Sequence, residues 1–239
     1  MKSLTTVLVL LFSPLLFAQP ALHSDLPLRY LEQPGNGAPD QPLVIFLHGY
    51  GSNEADLFGL KDDMPPGATY LSVRAPMQMA QDGYQWFTPV RDAAEYNGLN
   101  GDVASSEQRI VDFIAAAVAK YHTRADQVIL VGFSQGAILS YQVALHHPQS
   151  VGGIAALSGK LLPPLRASLK ADSRYSAVRF FIGHGTADTV LPVQSATQAD
   201  ESLQAIGVVP QIHLYEGLRH SISEAEVTDL RDWIAQGQR

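Results

Sequence analysis

Three residues far apart in the chain could together attack a carbonyl carbon. Ser134 lies in Gly132-Phe133-Ser134-Gln135-Gly136, Asp188 ends Gly183-His184-Gly185-Thr186-Ala187-Asp188, and His220 lies in Gly217-Leu218-Arg219-His220-Ser221. A serine hydroxyl is a weak nucleophile until a base takes its proton, and a carboxylate that orients the imidazole makes it an effective base. Serine, then acid, then histidine is the chain order found where the serine sits on a strand–turn–helix elbow. A fourth stretch, His48-Gly49-Tyr50-Gly51, could supply an anion-binding amide, because its glycines let backbone approach a ligand closely. The expected oxyanion donors are the N–H groups of Tyr50 and Gln135, their side chains being incidental. Losing one such donor typically costs about 10²–10³ in kcat.

Those residues need elements to hold them. Residues 128–131 form a short apolar run ending at Gly132, and helical spacing follows Ser134 in Ile138, Tyr141, Ala144 and Leu145 until Pro148 stops it. Further short apolar runs occupy Leu43–Leu47, 70–73, Gly153–Leu157, 178–182 and 212–215. Val103, Ile110, Ile114, Ala117 and Tyr121 recur at helical spacing, and residues 35–39 and 64–67 are turn material. Strands alternating with helices imply βαβ units and a mostly parallel sheet, and continuous apolar strands fit a sheet covered on both faces. Ser223 with Glu226 three residues on reads as a capping box at the start of the last helix. It leaves His220 on the loop before that helix. Asp188 and His220 then both follow strands, at the edge where open α/β sheets bind ligands.

Other residues compete for these roles and carry weaker signals. His146 and His147 end a helix and suit its negative terminus. His213 falls within a strand, His122 ends a helix, His23 lies near the leader, and His184 as base would break the chain order. Asp172 lies in a polar loop, and Asp200 and Asp229 fall in helical patterns with solvated faces. No H-E-x-x-H or similar pair accompanies His48, so no metal is expected.

Composition narrows the classes. The chain has 239 residues, 46% of them hydrophobic and 16% charged, enough apolar side chain for a sizeable core. There is no cysteine, which excludes disulfides, thiolate metal centres and a cysteine nucleophile. The net charge of −7, without basic runs, argues against nucleic acid or an anionic membrane as partner. Lys2 followed by an apolar run, interrupted by Pro14 and ending at the small Ala18, reads as a secretory signal peptide over residues 1–18. The run is short for a membrane anchor. The expectation is an exported protein, periplasmic or secreted and of bacterial type, with one domain over residues 19–239. Only 19 residues separate Leu157 from Ala177, too few for a cap domain.

Taken together, these stretches resemble the phospholipase/carboxylesterase family of small α/β-hydrolases, which includes acyl-protein thioesterases and bacterial carboxylesterases. The resemblance rests on Leu47-His48-Gly49-Tyr50-Gly51, Arg74-Ala75-Pro76, Tyr84-Gln85-Trp86-Phe87, Gly132-Phe133-Ser134-Gln135-Gly136, Leu157-Ser158-Gly159, His184-Gly185-Thr186-Ala187-Asp188 with Pro192, and His220-Ser221-Ile222-Ser223. It implies an α/β-hydrolase fold, a mostly parallel sheet with helices on both faces and no cap domain. It also implies the Ser134, Asp188 and His220 triad with Tyr50 and Gln135 as oxyanion amides. Thr88 stands where the family has Asp. The expected reaction is hydrolysis of acyl esters, with lysophospholipids or thioesters as candidate substrates, without a cofactor, in a monomer or homodimer. Met77, Trp86, Phe87 and Leu191 are expected to meet the acyl group. A feruloyl- or polyester-type esterase with the same triad is the alternative enzyme, and a non-catalytic binding protein on this fold the alternative class.

Overall fold

The computed structural model describes residues 20–90 and 94–237, so the leader expected over residues 1–18 lies outside the described residues. The strands are β1 (Tyr30–Gln33), β2 (Leu43–Leu47), β3 (Thr69–Val73), β4 (Met77–Gln78), β5 (Tyr84–Gln85), β6 (Pro89–Val90), β7 (Asn97–Gly98), β8 (Val128–Phe133), β9 (Gly153–Leu157), β10 (Arg179–Gly185) and β11 (Gln211–Tyr215). The helices are α1 (Asn100–Lys120), α2 (Gln135–His146), α3 (Pro163–Ser168), α4 (Gln194–Ala205) and α5 (Glu224–Gln236). Seven strands make one sheet in the order β1-β3-β2-β8-β9-β10-β11. β1 pairs antiparallel with β3, and every other pair in the sheet is parallel. β4 with β5 and β6 with β7 form two small antiparallel ribbons beside the sheet.

The apolar runs form strands because both of their faces are covered. Every residue of β2, β3 and β9 is buried. Along β8, Val128 and Leu130 face the core under α1, α2 and α4, while Ile129 and Val131 face the core under α5 and the turn Phe58–Asp63. That alternation is the two-residue period of a strand. α1 turns Val103, Ile110, Phe113, Ile114 and Ala117 inward, and α2 is buried from Gln135 to Leu145. β1 went unread in the sequence; its four residues tie the amino-terminal segment to β3. His23 belongs to this described segment, exchanging backbone hydrogen bonds with Tyr30.

Strand order reverses at β8. β2 and β3 lie to one side of it, and β9, β10 and β11 follow in sequence on the other. The carboxyl end of β8 therefore opens onto a crevice between diverging connections, the usual ligand position in such sheets. No cap covers it from the β9–β10 connection. Leu161, Leu162, Leu165 and Tyr175 of that segment are buried in the body of the protein.

The capping box forms only in part. Ser223 Oγ accepts the Glu226 N–H at 3.2 Å. The Glu226 carboxyl does not bond back; it is fully buried, and neither oxygen has a hydrogen-bond partner among the described residues.

Candidate active site

Ser134 sits between β8 and α2 with φ 53° and ψ −113°, a left-handed setting that is uncommon and strained for a residue with a side chain. The Ser134 N–H donates to the Leu157 carbonyl at 3.0 Å, and its own carbonyl accepts the Ile138 N–H at 3.0 Å. The flanking glycines follow from close packing. A Cβ on Gly132 would fall on the Gly136 carbonyl, and one on Gly136 would fall on the Leu47 carbonyl.

His220 reaches this serine from the loop after β11. Ser134 Oγ lies 3.0 Å from His220 Nε2, and Asp188 Oδ2 lies 2.7 Å from Nδ1. A carboxylate can only accept, so Nδ1 carries the proton and Nε2 is free to accept the serine hydroxyl. Asp188 Oδ1 accepts the Val190 and Leu191 amides at 2.8 and 2.9 Å. Burial alone would raise the Asp188 pKa. The hydrogen bonds from His220, Leu191 and Val190 outweigh it and hold the carboxyl below its ordinary value. His184 lies behind, fully buried, with Nε2 2.8 Å from the Leu191 carbonyl and 3.4 Å from Asp188 Oδ2. It braces the loop that carries the acid.

The second wall is the loop after β2. Neither the Tyr50 nor the Gln135 N–H has a backbone partner among the described residues, and Gln135 opens α2, where the first N–H groups have no intrahelical acceptor. His48 aims the Tyr50 amide. The Ala75 N–H donates to His48 Nε2 at 3.1 Å, so the proton is on Nδ1, which donates to the Gly49 carbonyl at 2.7 Å. The Gly49–Tyr50 peptide is trans, so fixing its carbonyl points its N–H the opposite way. Burial lowers the His48 pKa, and this favours the neutral ring that the pattern needs. Both His48 nitrogens thus bond protein groups.

The aromatic pair expected to touch substrate does not reach the cavity. Trp86 and Phe87 are fully buried. Trp86 Nε1–H donates to the His48 carbonyl at 2.9 Å, and Phe87 packs edge-on against Tyr96. They underpin the oxyanion loop. Met77 pairs with Gln85 in the β4–β5 ribbon and does not line the cavity; Met79 does. The Gln135 side chain is not incidental either. Its Oε1 accepts the Trp86 N–H at 3.0 Å, and its Nε2 donates to the Phe87 carbonyl at 2.9 Å and to Tyr96 OH at 3.2 Å. One side chain therefore ties the residue after the serine to the segment forming the opposite wall.

The cavity beside Ser134 has a volume of about 410 Å³, and Tyr50 and Leu191 line it with the serine. Met79, Gln85, Thr88, Pro89, Tyr96 and Val190 complete the wall. None of these carries a charge. Gln85 and Thr88 belong to or border the quoted Tyr84-Gln85-Trp86-Phe87 stretch, and Val190 is next to Leu191, whereas neither period nor motif marks Met79, Pro89 or Tyr96. The Tyr50 side chain is exposed and forms part of the rim.

Three further histidines have partners away from the site. His146 and His147 both lie close to Glu107 of α1, at 2.8 and 3.1 Å. His213 stacks on Phe181 and contacts Asp229 at 3.1 Å, so Asp229 has a partner on β11.

A serine on a strained elbow, an oriented imidazole, a low-pKa carboxylate and two free amides form an arrangement chemically able to carry out acyl transfer. The sequence profile of the phospholipase/carboxylesterase family matches residues 34–237. The chain belongs to the phospholipase/carboxylesterase family. It is a serine ester hydrolase with the α/β-hydrolase fold of that family. It is 28% identical over 222 residues to acyl-protein thioesterase 1 of Debaryomyces hansenii, spanning 82% of this chain and 91% of that protein. It is 25% identical over 222 residues to a protein of Oryza sativa subsp. japonica described as a probable inactive carboxylesterase, spanning 85% of this chain and 88% of that one. The crystal structure of esterase PE8 superposes with a TM-score of 0.75 at 26% identity, covering 86% of this chain and 96% of that one. Among the described residues, no helix of this family member is long and apolar enough to cross a membrane.

Proposed function

We propose that this protein hydrolyses carboxylic esters through an acyl-enzyme on Ser134, with His220 as base and Asp188 as the orienting acid. The observation that carries the reading is the unbroken hydrogen-bonded line from Asp188 through His220 to Ser134, at 2.7 and 3.0 Å. His220 Nε2 takes the hydroxyl proton as Ser134 Oγ bonds to the ester carbon. The carbonyl electrons move to oxygen, where the Tyr50 and Gln135 amides stabilise them. The tetrahedral centre collapses, the ester C–O bond breaks, and the proton on Nε2 passes to the leaving alcohol. Water then attacks the acyl-enzyme with His220 again as base, releasing the acid and Ser134. Asp188 stays ionised and stabilises the imidazolium.

The uncharged lining of the cavity beside Ser134 suits a neutral acyl chain, with Tyr50, Met79, Val190 and Leu191 as the contacts for it. Thioesters react by the same path, with a thiol leaving. Residues 19–239 are read as one domain, and the pattern of residues 1–18 supports export with removal of the leader. Intact mass of the protein recovered from an exporting bacterial host tests the last point.

The triad is tested with a fluorophosphonate probe and p-nitrophenyl esters. The expected result is labelling and turnover that Ser134→Ala abolishes. Labelling that persists in Ser134→Ala, or a folded wild-type protein that neither labels nor turns over, would overturn the reading.

A further inference from the structure

Ser134 lines one cavity and its partner His220 lines another. The cavity beside Ser134 includes Tyr50 of the oxyanion loop and not His220. The other, of about 440 Å³, includes His220 and neither Ser134 nor Tyr50. The two share no lining residue. Leu57, Leu60, Phe133 and Ile222 supply the apolar walls of the second, and the Phe133 ring lies 4.9 Å from the His220 ring. Asp56 is the single charged residue in its lining, with no lysine or arginine.

The tetrahedral intermediate assigns directions to these spaces. Its carbon carries four groups: Ser134 Oγ, the oxyanion, the leaving oxygen and the acyl carbon. The oxyanion must face the Tyr50 and Gln135 amides. The leaving oxygen must lie within hydrogen-bond reach of His220 Nε2, because that atom returns the proton. The acyl carbon takes the remaining direction, into the cavity with Val190 and Leu191. We propose that the cavity beside His220 receives the alcohol portion of the ester, and that this alcohol is apolar and carries no negative charge. The inference rests on the acyl-enzyme reading of Ser134. It narrows the substrate class. An alkyl or aryl alcohol would bury its carbon skeleton against Leu57, Leu60 and Ile222. A phosphate-bearing alcohol of net negative charge, such as the glycerol phosphate that leaves a lysophosphatidic acid, would find Asp56 and no lysine or arginine to pair with.

The test holds the acyl group fixed and varies the alcohol, using octanoyl ethyl, hexyl and 2-phenylethyl esters and octanoyl lysophosphatidic acid. The readout is kcat/KM, which reports acylation and so senses the leaving group. Each methylene added to the alcohol should raise it roughly two- to fourfold, as burial of apolar carbon predicts. The lysophospholipid should be at least tenfold slower than the hexyl ester. Leu60→Trp, which fills the cavity, should bring the hexyl-to-ethyl ratio close to one. Leu60→Lys, at a half-buried position where a cation is tolerated, should raise the ratio of lysophospholipid to hexyl ester. Fluorophosphonate labelling of each variant shows that the elbow is folded. Rates independent of alcohol size, or a Leu60→Trp protein that keeps the wild-type hexyl-to-ethyl ratio, would overturn the proposal. If the wild-type protein fails to label, the acyl-enzyme reading itself falls, and this inference with it.

Discussion

Asp188 and Glu226 are both buried carboxyl groups near β10, one in the loop past its carboxyl end and one packed against Gly183 within the strand. Asp188 meets His220 and two backbone amides, and its pKa lies below the ordinary value. Neither Glu226 oxygen completes a hydrogen bond among the described residues, although the Ser223 amide approaches the carboxyl. Burial, with some help from Asp229, pushes it up to about 8, and the neighbouring Ser223 amide only partly opposes this. Burial acts the same way on both. The donors decide which one carries a charge at neutral pH. Asp188 is thereby prepared to stabilise an imidazolium, while Glu226 is a neutral acid that helps neither the chemistry nor the cap it nominally belongs to.

Substitution of the two acids should separate them most strongly in rate. Asp188→Asn keeps the shape but lets the amide favour the wrong imidazole tautomer, and kcat should fall by about 10⁴. Glu226→Gln should leave steady-state ester hydrolysis close to that of the wild type, since Glu226 takes no part in the hydrogen bonds that join Asp188, His220 and Ser134. Equal losses in the two variants would break the contrast.

The next difference is in stability against pH. For Asp188 the folded pKa is depressed, so its contribution is present above the ordinary value of 3.8 and is lost as pH falls through the folded pKa. For Glu226 the folded pKa is raised. The unfolded chain releases its proton near 4.5 while the folded protein keeps it to about 8, so stability declines as pH rises through that window. Glu226→Gln removes this slope but leaves a neutral polar orphan, and Glu226→Met removes both. Relative to wild type, Glu226→Met should gain about 1–3 kcal/mol from removing the unsatisfied group, roughly 2–10 °C in Tm, and a further gain that grows as pH rises from 4.5 to about 8. Its advantage should shrink toward pH 4.5. Thermal melts across pH 4–9 check this, and an advantage independent of pH would show that Glu226 is not the titrating group.

The smallest effect concerns the packing that leaves Glu226 no room. A Cβ at residue 183 would collide with Glu226 Oε1. Gly183→Ala should cost about 1–3 kcal/mol, as overpacking does. Glu226→Ala should relieve part of it, with a coupling on the order of 1 kcal/mol in a double-mutant cycle read by urea unfolding. Additive effects would mean that the strand itself, and not the acid, rejects the methyl group.

Much of the site was legible because its determinants are local. Gly132 and Gly136 flank Ser134 where any Cβ would strike backbone, and the run into β8 announces the strand the elbow needs. Asp188 and His220 could be placed after strands by pattern and order. The aromatic residues were misread for a physical reason. Trp86 and Phe87 are as apolar as any pocket wall, and only the fold reveals that they lie beneath the His48 loop and that Met79 and Tyr96 face the cavity. Glu226 shows the same limit: the Ser223 spacing correctly marks a helix start, yet the carboxyl packs inward against β10.

Local sequence pattern was enough to indicate the class of chemistry and most strands of the parallel sheet, because strand period, helix period and elbow sterics are set within a few residues. Tertiary structure decided what depends on distant segments meeting. It set the 3.0 Å approach of His220 to Ser134, the Gln135 side chain that joins the two walls, the opposite pKa shifts of Asp188 and Glu226, and the separate cavities lined by Ser134 and by His220. Those properties belong to contacts between residues tens of positions apart, and no local pattern encodes them.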